Sequence, residues 1–235
     1  MQALVWKRSD LRESSRLITL WTRDRGRLGV LGKGAHRHNS ALLGKIDFLN
    51  ELDVQLSGRS VPLFRRVKLV HEPRPLRAPE RYWLACHLAR LFDACLVQEH
   101  PDPELFDLGL GAFRLAERSP LSTLPQITAG IELKLLRQLG SLPELDRCSD
   151  CGREGSELRI EPNGALRCPA HASPRADRIS AQALQRARTL IESRGRDLPG
   201  LPDDPAQGEL IARLRSWLHA GLEVGLPFRA LALRA

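Results

Sequence analysis

SRLITLWTRDRGRLGVLGKG, residues 15–34, holds two short runs of Leu, Ile, Val and Trp in partial alternation around the turn-forming segment RDRG. Alternate residues of a strand face the same side of a sheet, so such a pair reads as two strands joined by a tight connection. Three more runs of this kind flank it: ALVWKR before, ELDVQLSG and VPLFRRVKLV after, with turn residues in KGAHRHNS and SGRS. Five short strands within 77 residues suit a small closed barrel, and an OB-like barrel is the economical choice. A small open sandwich is the other arrangement these strands permit.

After Arg77 the period changes. The run EPRPLRAPE marks a boundary, and APERYWLACHLARLFDACLVQ then carries Trp83, Leu84, Leu88, Leu91, Phe92 and Cys95 at helical spacing, with Pro79 near the first helical position. DPELFDLGLGAFRLAER starts with Asp102 as a cap, and STLPQITAGIELKLLRQLG stops at Gly140. SAQALQRARTLIESR and DPAQGELIARLRSWLHAGLEV read as two further helices, with RGRDLPGLPDDP as the loop between them. The expected class is α+β: an OB-fold barrel over 1–77, a helical domain over 78–147 and 172–235, and an insertion over 148–171.

Charge divides at the same place. Residues 1–77 carry 16 Lys and Arg against 7 Asp and Glu, a net +9, and the remainder carries 20 against 21, a net −1. A positive field concentrated on one domain is what a polyanion-binding surface requires. The loop GVLGKGAHRH, residues 29–38, lacks the G-x-x-x-x-G-K-[ST] order of a phosphate loop. It remains a basic loop in which Lys33, His36, Arg37 and His38 supply charge and Gly32 and Gly34 let backbone N–H groups approach phosphate. Trp6 and Trp21 are read as core, because aromatics make up only 5% of the chain and stacking cannot be the main source of affinity.

Residues 148–171, CSDCGREGSELRIEPNGALRCPAH, hold three of the five cysteines. Cys148 and Cys151 are separated by two residues, as are Cys168 and His171, the spacing of two hooks on one tetrahedral zinc ion. Asn163-Gly164 between strand-like runs is a hairpin signal that brings the second hook beside the first. Four protein donors fill the shell, so the zinc is structural; no H-E-x-x-H or G-x-S-x-G occurs, and no enzyme is expected. Cys86 and Cys95 are read as buried structural cysteines on an apolar helix, and His71, His87, His100 and His219 show no partner at sequence level. There is no signal-peptide h-region and no 18-residue apolar run, which reads as a soluble cytoplasmic protein without a membrane segment.

Three stretches resemble the bacterial RecO family of recombination and repair mediators: LRESSRLITLWTRDRGRLGVLGKGAHRHNS, GIELKLLRQLGSLPELDRCSDCG, and the hairpin running into Cys168. The resemblance covers nearly the whole chain in order. It implies an N-terminal OB-fold, a helical domain and a zinc-finger insertion. It further implies binding of single- and double-stranded DNA, annealing of complementary strands coated with single-stranded-DNA-binding protein, and work with RecR to help load RecA in the nucleoid. Carried onto this sequence, the family's basic N-terminal pattern falls on Arg23, Arg25, Arg27, Lys33 and Arg37, and its zinc hooks on Cys148, Cys151, Cys168 and His171. The fourth hook position, usually Cys in the family, is His171 here. A zinc-containing regulator that reads duplex sequence, and a nuclease, are the rival readings. The acidic groupings Asp203-Asp204 and Asp47/Glu51/Asp53 are read as solvated surface.

Overall fold

Partial alternation is the mark of a strand with one face in a core, and the N-terminal runs behave accordingly. In a computed structural model of the chain, which describes residues 1–12, 14–58, 61–155, 157–222 and 224–233, they form β1 (Gln2–Arg12), β2 (Ser15–Thr22), β3 (Gly26–Gly32), β4 (Glu51–Ser57) and β5 (Leu63–His71). The strands close into a barrel in the order β1-β2-β3-β5-β4, an OB-like arrangement. Neighbours are antiparallel except β3 and β5, which run parallel and meet at Leu31 and Leu63, where the Leu31 N–H donates to Pro62 O at 2.8 Å.

The inward positions Ala3, Val5, Ile18, Leu20, Leu28, Val30, Leu52 and Val54 fill the barrel, with Ala35, Leu42 and Ile46 from the 33–50 connection packed against them. Outward-facing Trp21 is also buried, in edge-to-face contact with Trp6 at 5.1 Å and with Phe106 at 5.3 Å. Phe106 belongs to a segment distant in sequence. The chain divides into two compact units, one of Met1–Arg77 with Cys95–Leu110, the other of Ala78–Ala94 with Gly111–Ala235. Gly26 shows how closely 95–110 approaches the barrel: its φ is +65°, and a Cβ there would overlap the backbone oxygen of His100.

The second unit is helical: α1 (Pro79–Asp93), the latter half of α2 (Pro103–Arg118), α3 (Leu124–Gln138), α4 (Ala181–Glu192), α5 (Gln207–Leu222) and the short α6 (Arg229–Ala232). The termini follow their sequence signals. Pro79 opens α1, Asp102 Oδ1 accepts the Leu105 N–H at 2.8 Å at the start of α2, and Ser180 Oγ accepts the Ala183 N–H at 3.1 Å at the start of α4. α3 ends in a Schellman motif: Gly140, at φ +67°, donates to Arg137 O at 3.0 Å, and the Ser141 N–H to Leu136 O at 2.9 Å. α3 is buried along most of its length, its polar Gln126, Thr128 and Glu132 included, at the centre of its unit. Between its halves the unit carries a three-stranded sheet of β6 (Arg159–Ile160), β7 (Leu166–Arg167) and β8 (Asp177–Arg178) in the order β7-β6-β8.

Some local readings need correction. The loop RGRDLPGLPDDP contains a 3-10 helix at Gly195–Gly200, whose Leu198 is fully buried, and Gln126 Nε2 donates to Leu198 O at 2.7 Å. Cys95 lies past the end of α1, and both Cys86 and Cys95 are half-buried rather than buried. Of the acidic groupings, Glu51 is buried and accepts from Gln2 Nε2 at 2.8 Å, Asp47 pairs with Arg8, and Asp204 Oδ1 accepts the Ala206 N–H at 2.8 Å ahead of α5.

Candidate metal centre and basic barrel surface

The two hooks are built by backbone hydrogen bonds. At the first, the Gly152 N–H donates to Cys148 O at 2.9 Å, with Gly152 at φ +66°, and the Cys148 N–H donates to Arg153 O at 3.0 Å. At the second, the N–H groups of His171 and Ala172 both donate to Cys168 O, at 3.0 and 2.9 Å. The Ser149 N–H reaches Leu166 O at 2.8 Å and ties the first hook to the strand that leads into the second. Cys148 and Cys168 are buried, whereas Cys151 and His171 face solvent.

The four donor atoms all lie within 4.8 Å of one another. Cys151 Sγ is 4.0 Å from Cys168 Sγ, and His171 Nδ1 is 3.2 Å from Cys168 Sγ and 3.7 Å from Cys148 Sγ. A tetrahedral ion with metal–sulfur bonds of about 2.3 Å places neighbouring donors about 3.5–3.8 Å apart, so the set fits one ion. The electrostatics agree. Backbone N–H donation, Cys168's foremost, holds the Cys148 thiol down at about 6, and the hydrogen bond to Cys168 raises His171 above its ordinary value. Cys151 is pushed up: the Arg153 N–H lowers it, but burial and the adjacent sulfurs outweigh that. Crowded sulfurs resist full deprotonation until a cation joins them.

The hairpin that carries the second hook is fastened at both ends. At its tip Gly164, at φ +83°, lets α5 approach: a Cβ there would lie 3.2 Å from Ala220 Cβ, and Trp217 Nε1 donates to Gly164 O at 2.9 Å. At its base buried Glu161 accepts the Ser173 N–H at 2.7 Å and the Ser173 hydroxyl at 2.6 Å. Neither Trp217 nor Glu161 announces this role in sequence. Cys95, by contrast, is an inert thiol, pushed up to about 11 by burial and then by the nearby Asp102 charge.

On the barrel the seven expected basic residues fall into two groups. Arg23 and Arg25 sit on the β2–β3 turn, with Arg27 just inside β3; Lys33, His36, Arg37 and His38 lie beyond the other end of that strand. Seven strand residues separate the groups by about 20 Å. Arg23 is engaged by Asp107 in a two-pronged ion pair, at 3.0 and 2.8 Å, which holds the Asp107 carboxyl below its ordinary range. His36 Nε2 lies 2.9 Å from Asp10 Oδ1, and the hydrogen bond from Arg16 chiefly holds that carboxyl low. Among the described residues Arg25, Lys33, Arg37 and His38 are exposed and carry no ion pair. Joining the second group are Arg65 and Arg66, exposed on β5, which strand periodicity alone does not single out; a register shift between Gln55 and Leu56 opposite them accounts for two adjacent outward arginines. Two adjacent like charges inside an alternating run are the signal that could have found them.

Residues 1–73 match the family described as Recombination protein O N terminal, and residues 76–226 match Recombination protein O C terminal. The chain belongs to the RecO family. Among curated relatives, the DNA repair protein RecO of Desulforamulus reducens is 27% identical over 231 residues, which span 95% of this chain and 89% of that protein. That of Heliobacterium modesticaldum is 30% identical over 217 residues, 87% of this chain and 77% of its own length. The Bacillus pumilus RecO is 29% identical over 172 residues, 70% of this chain and 65% of its own length. For this RecO-family DNA repair protein, none of the helices among the described residues is long and apolar enough to cross a membrane.

Proposed function

We propose that this RecO-family chain is a non-enzymatic mediator of DNA repair and recombination. The barrel of residues 1–77 binds single- and double-stranded DNA without sequence preference and anneals complementary strands. Together with RecR it helps RecA replace single-stranded-DNA-binding protein, in the cytoplasm at the nucleoid. Residues 78–147 and 172–235 form the helical domain, and 148–171 form an insertion in which Cys148, Cys151, Cys168 and His171 hold a structural Zn²⁺. Zinc is the ion of choice for a tetrahedral set of three sulfurs and one imidazole, and four protein donors leave no position for a reacting water.

The observation that carries the reading is the concentration of exposed cations at one end of the barrel: Lys33, Arg37, Arg65 and Arg66. Phosphates neutralised there on two strands remove the repulsion that slows their meeting, and base pairing supplies the specificity. Affinity for single strands therefore falls steeply as salt rises. Changing Lys33, Arg37, Arg65 and Arg66 together to Gln lowers the slope of log affinity against log salt by about 3, at roughly 0.7 for each phosphate no longer neutralised. Titrations of labelled oligonucleotides at several salt concentrations measure it. A flat salt dependence in the parent, or a strong preference for one duplex site, would overturn the reading.

A further inference from the structure

β3 ends at Gly32 and the chain turns away at Lys33, whereas β5 continues to His71. Past the Leu31–Leu63 pair no described strand covers the β3 side of β5, so the barrel seam opens. A cleft of about 300 Å³ occupies the gap. Its apolar lining includes Leu31, Leu42, Leu63 and Phe64, with Ala41 and Ser57 on its walls and Lys33, Arg65 and Arg66 around it. Lys33 and Arg65 have no ion-pair partner among the described residues, and Arg66 interacts with the Asp53 charge without forming a close ion pair. The volume sits at the small end of ligand pockets, room for one planar group and not for a stacked base pair.

We infer that this cleft takes one unstacked nucleotide of a single strand, its base against Phe64 and the leucines and its flanking phosphates against Lys33, Arg65 and Arg66. The inference rests on the proposed DNA binding and adds a discriminating element to it. Any base has an apolar face, so such a cleft is indifferent to sequence. A duplex must first flip a base out to fill it, so the cleft favours single strands over duplex where the surrounding charge does not. The edge of β5 just past Leu63, which no described strand covers, offers backbone N–H groups to phosphate oxygens. The charge around the cleft favours a polyanion over an extended peptide as the occupant.

Ala41→Trp tests this, because Ala41 is exposed, carries no charge and contributes nothing to the barrel core, while an indole there fills the cleft. Anisotropy titrations compare an oligothymidylate, the same backbone with abasic residues, and a duplex of equal length. The parent should bind oligothymidylate about 10-fold tighter than the abasic strand, and Ala41→Trp should erase that difference while leaving the abasic and duplex affinities unchanged. Ser57→Tyr, at another exposed lining residue, should do the same and serves if Ala41→Trp does not melt like the parent. Unaltered affinities in folded variants, as a peptide-binding cleft would give, or an equal loss on all three DNAs, would overturn the inference. A parent that bound none of the three would overturn the DNA-binding reading itself.

Discussion

Glu132→Ala should destabilise the helical unit by about 3–5 kcal/mol, because it strands a buried arginine. Glu132 and His87 have no exposed side-chain surface, and Arg229 is 9% exposed. The Glu132 carboxylate accepts Arg229 Nε at 2.7 Å and Nη2 at 2.8 Å, and its Oε1 lies 2.8 Å from His87 Nε2. Arg229 Nη2 also donates to Ile211 O at 3.0 Å, so α1, α3, α5 and α6 meet at one charged point. Replacing Glu132 and Arg229 together by Leu and Met should cost less than Glu132→Ala alone, since no charge is then left unpaired. Burial pushes the Glu132 carboxyl up, but the hydrogen bonds of His87 and Arg229 outweigh it and hold it below its ordinary range. A carboxylate depressed in the folded state contributes stability above its ordinary value, and that contribution is lost as pH falls through the folded one. Urea unfolding followed by far-ultraviolet circular dichroism, at neutral pH and near pH 4, measures both effects. Equal stability of Glu132→Ala and the parent would show that the cluster is not the keystone of this unit.

Loss of the proposed Zn²⁺ should be the second large effect. The 148–171 segment has only two-residue strands and a few buried side chains of its own, Leu158, Ile160 and Leu166 among them. With so small a core, the segment should depend on a bound ion beyond what the Trp217 and Ser173 hydrogen bonds supply. The purified chain should carry one zinc, and Cys148→Ser should lose it and melt about 10 °C lower or fail to stay soluble. Its DNA affinity, where the variant remains folded, should match the parent's. Metal analysis, thermal melting and oligonucleotide titration on the same preparations decide the matter. A variant that melted like the parent and selectively lost DNA binding would make the zinc segment part of the binding surface.

What was legible in the sequence was what repeats locally. Alternation located all five barrel strands, and the caps at Pro79, Asp102 and Gly140 located helix ends, because these signals depend on neighbours within a few residues. The hook spacing and Asn163-Gly164 located the donor cluster for the same reason. Interactions over long separations were silent. His87 and Arg229 reach Glu132 across 45 and 97 residues, and a histidine on an apolar helix carries no mark of its partner. The helical pattern of 95–110 gave no hint that Phe106 packs on Trp21 of the barrel. Nor did an even spread of arginines reveal that Arg23 is held by Asp107, that Arg25 and Arg37 lie at opposite ends of a strand, or that Arg65 and Arg66 border a cleft.

On the proposed function, the basic end of the barrel brings complementary strands together. Two complementary oligonucleotides, each coated with single-stranded-DNA-binding protein, are mixed with the chain and no nucleotide cofactor, and duplex formation is followed by fluorescence. The parent should anneal them rapidly, and the variant with Lys33, Arg37, Arg65 and Arg66 changed to Gln should anneal them little. Annealing at equal rates by parent and variant would contradict it.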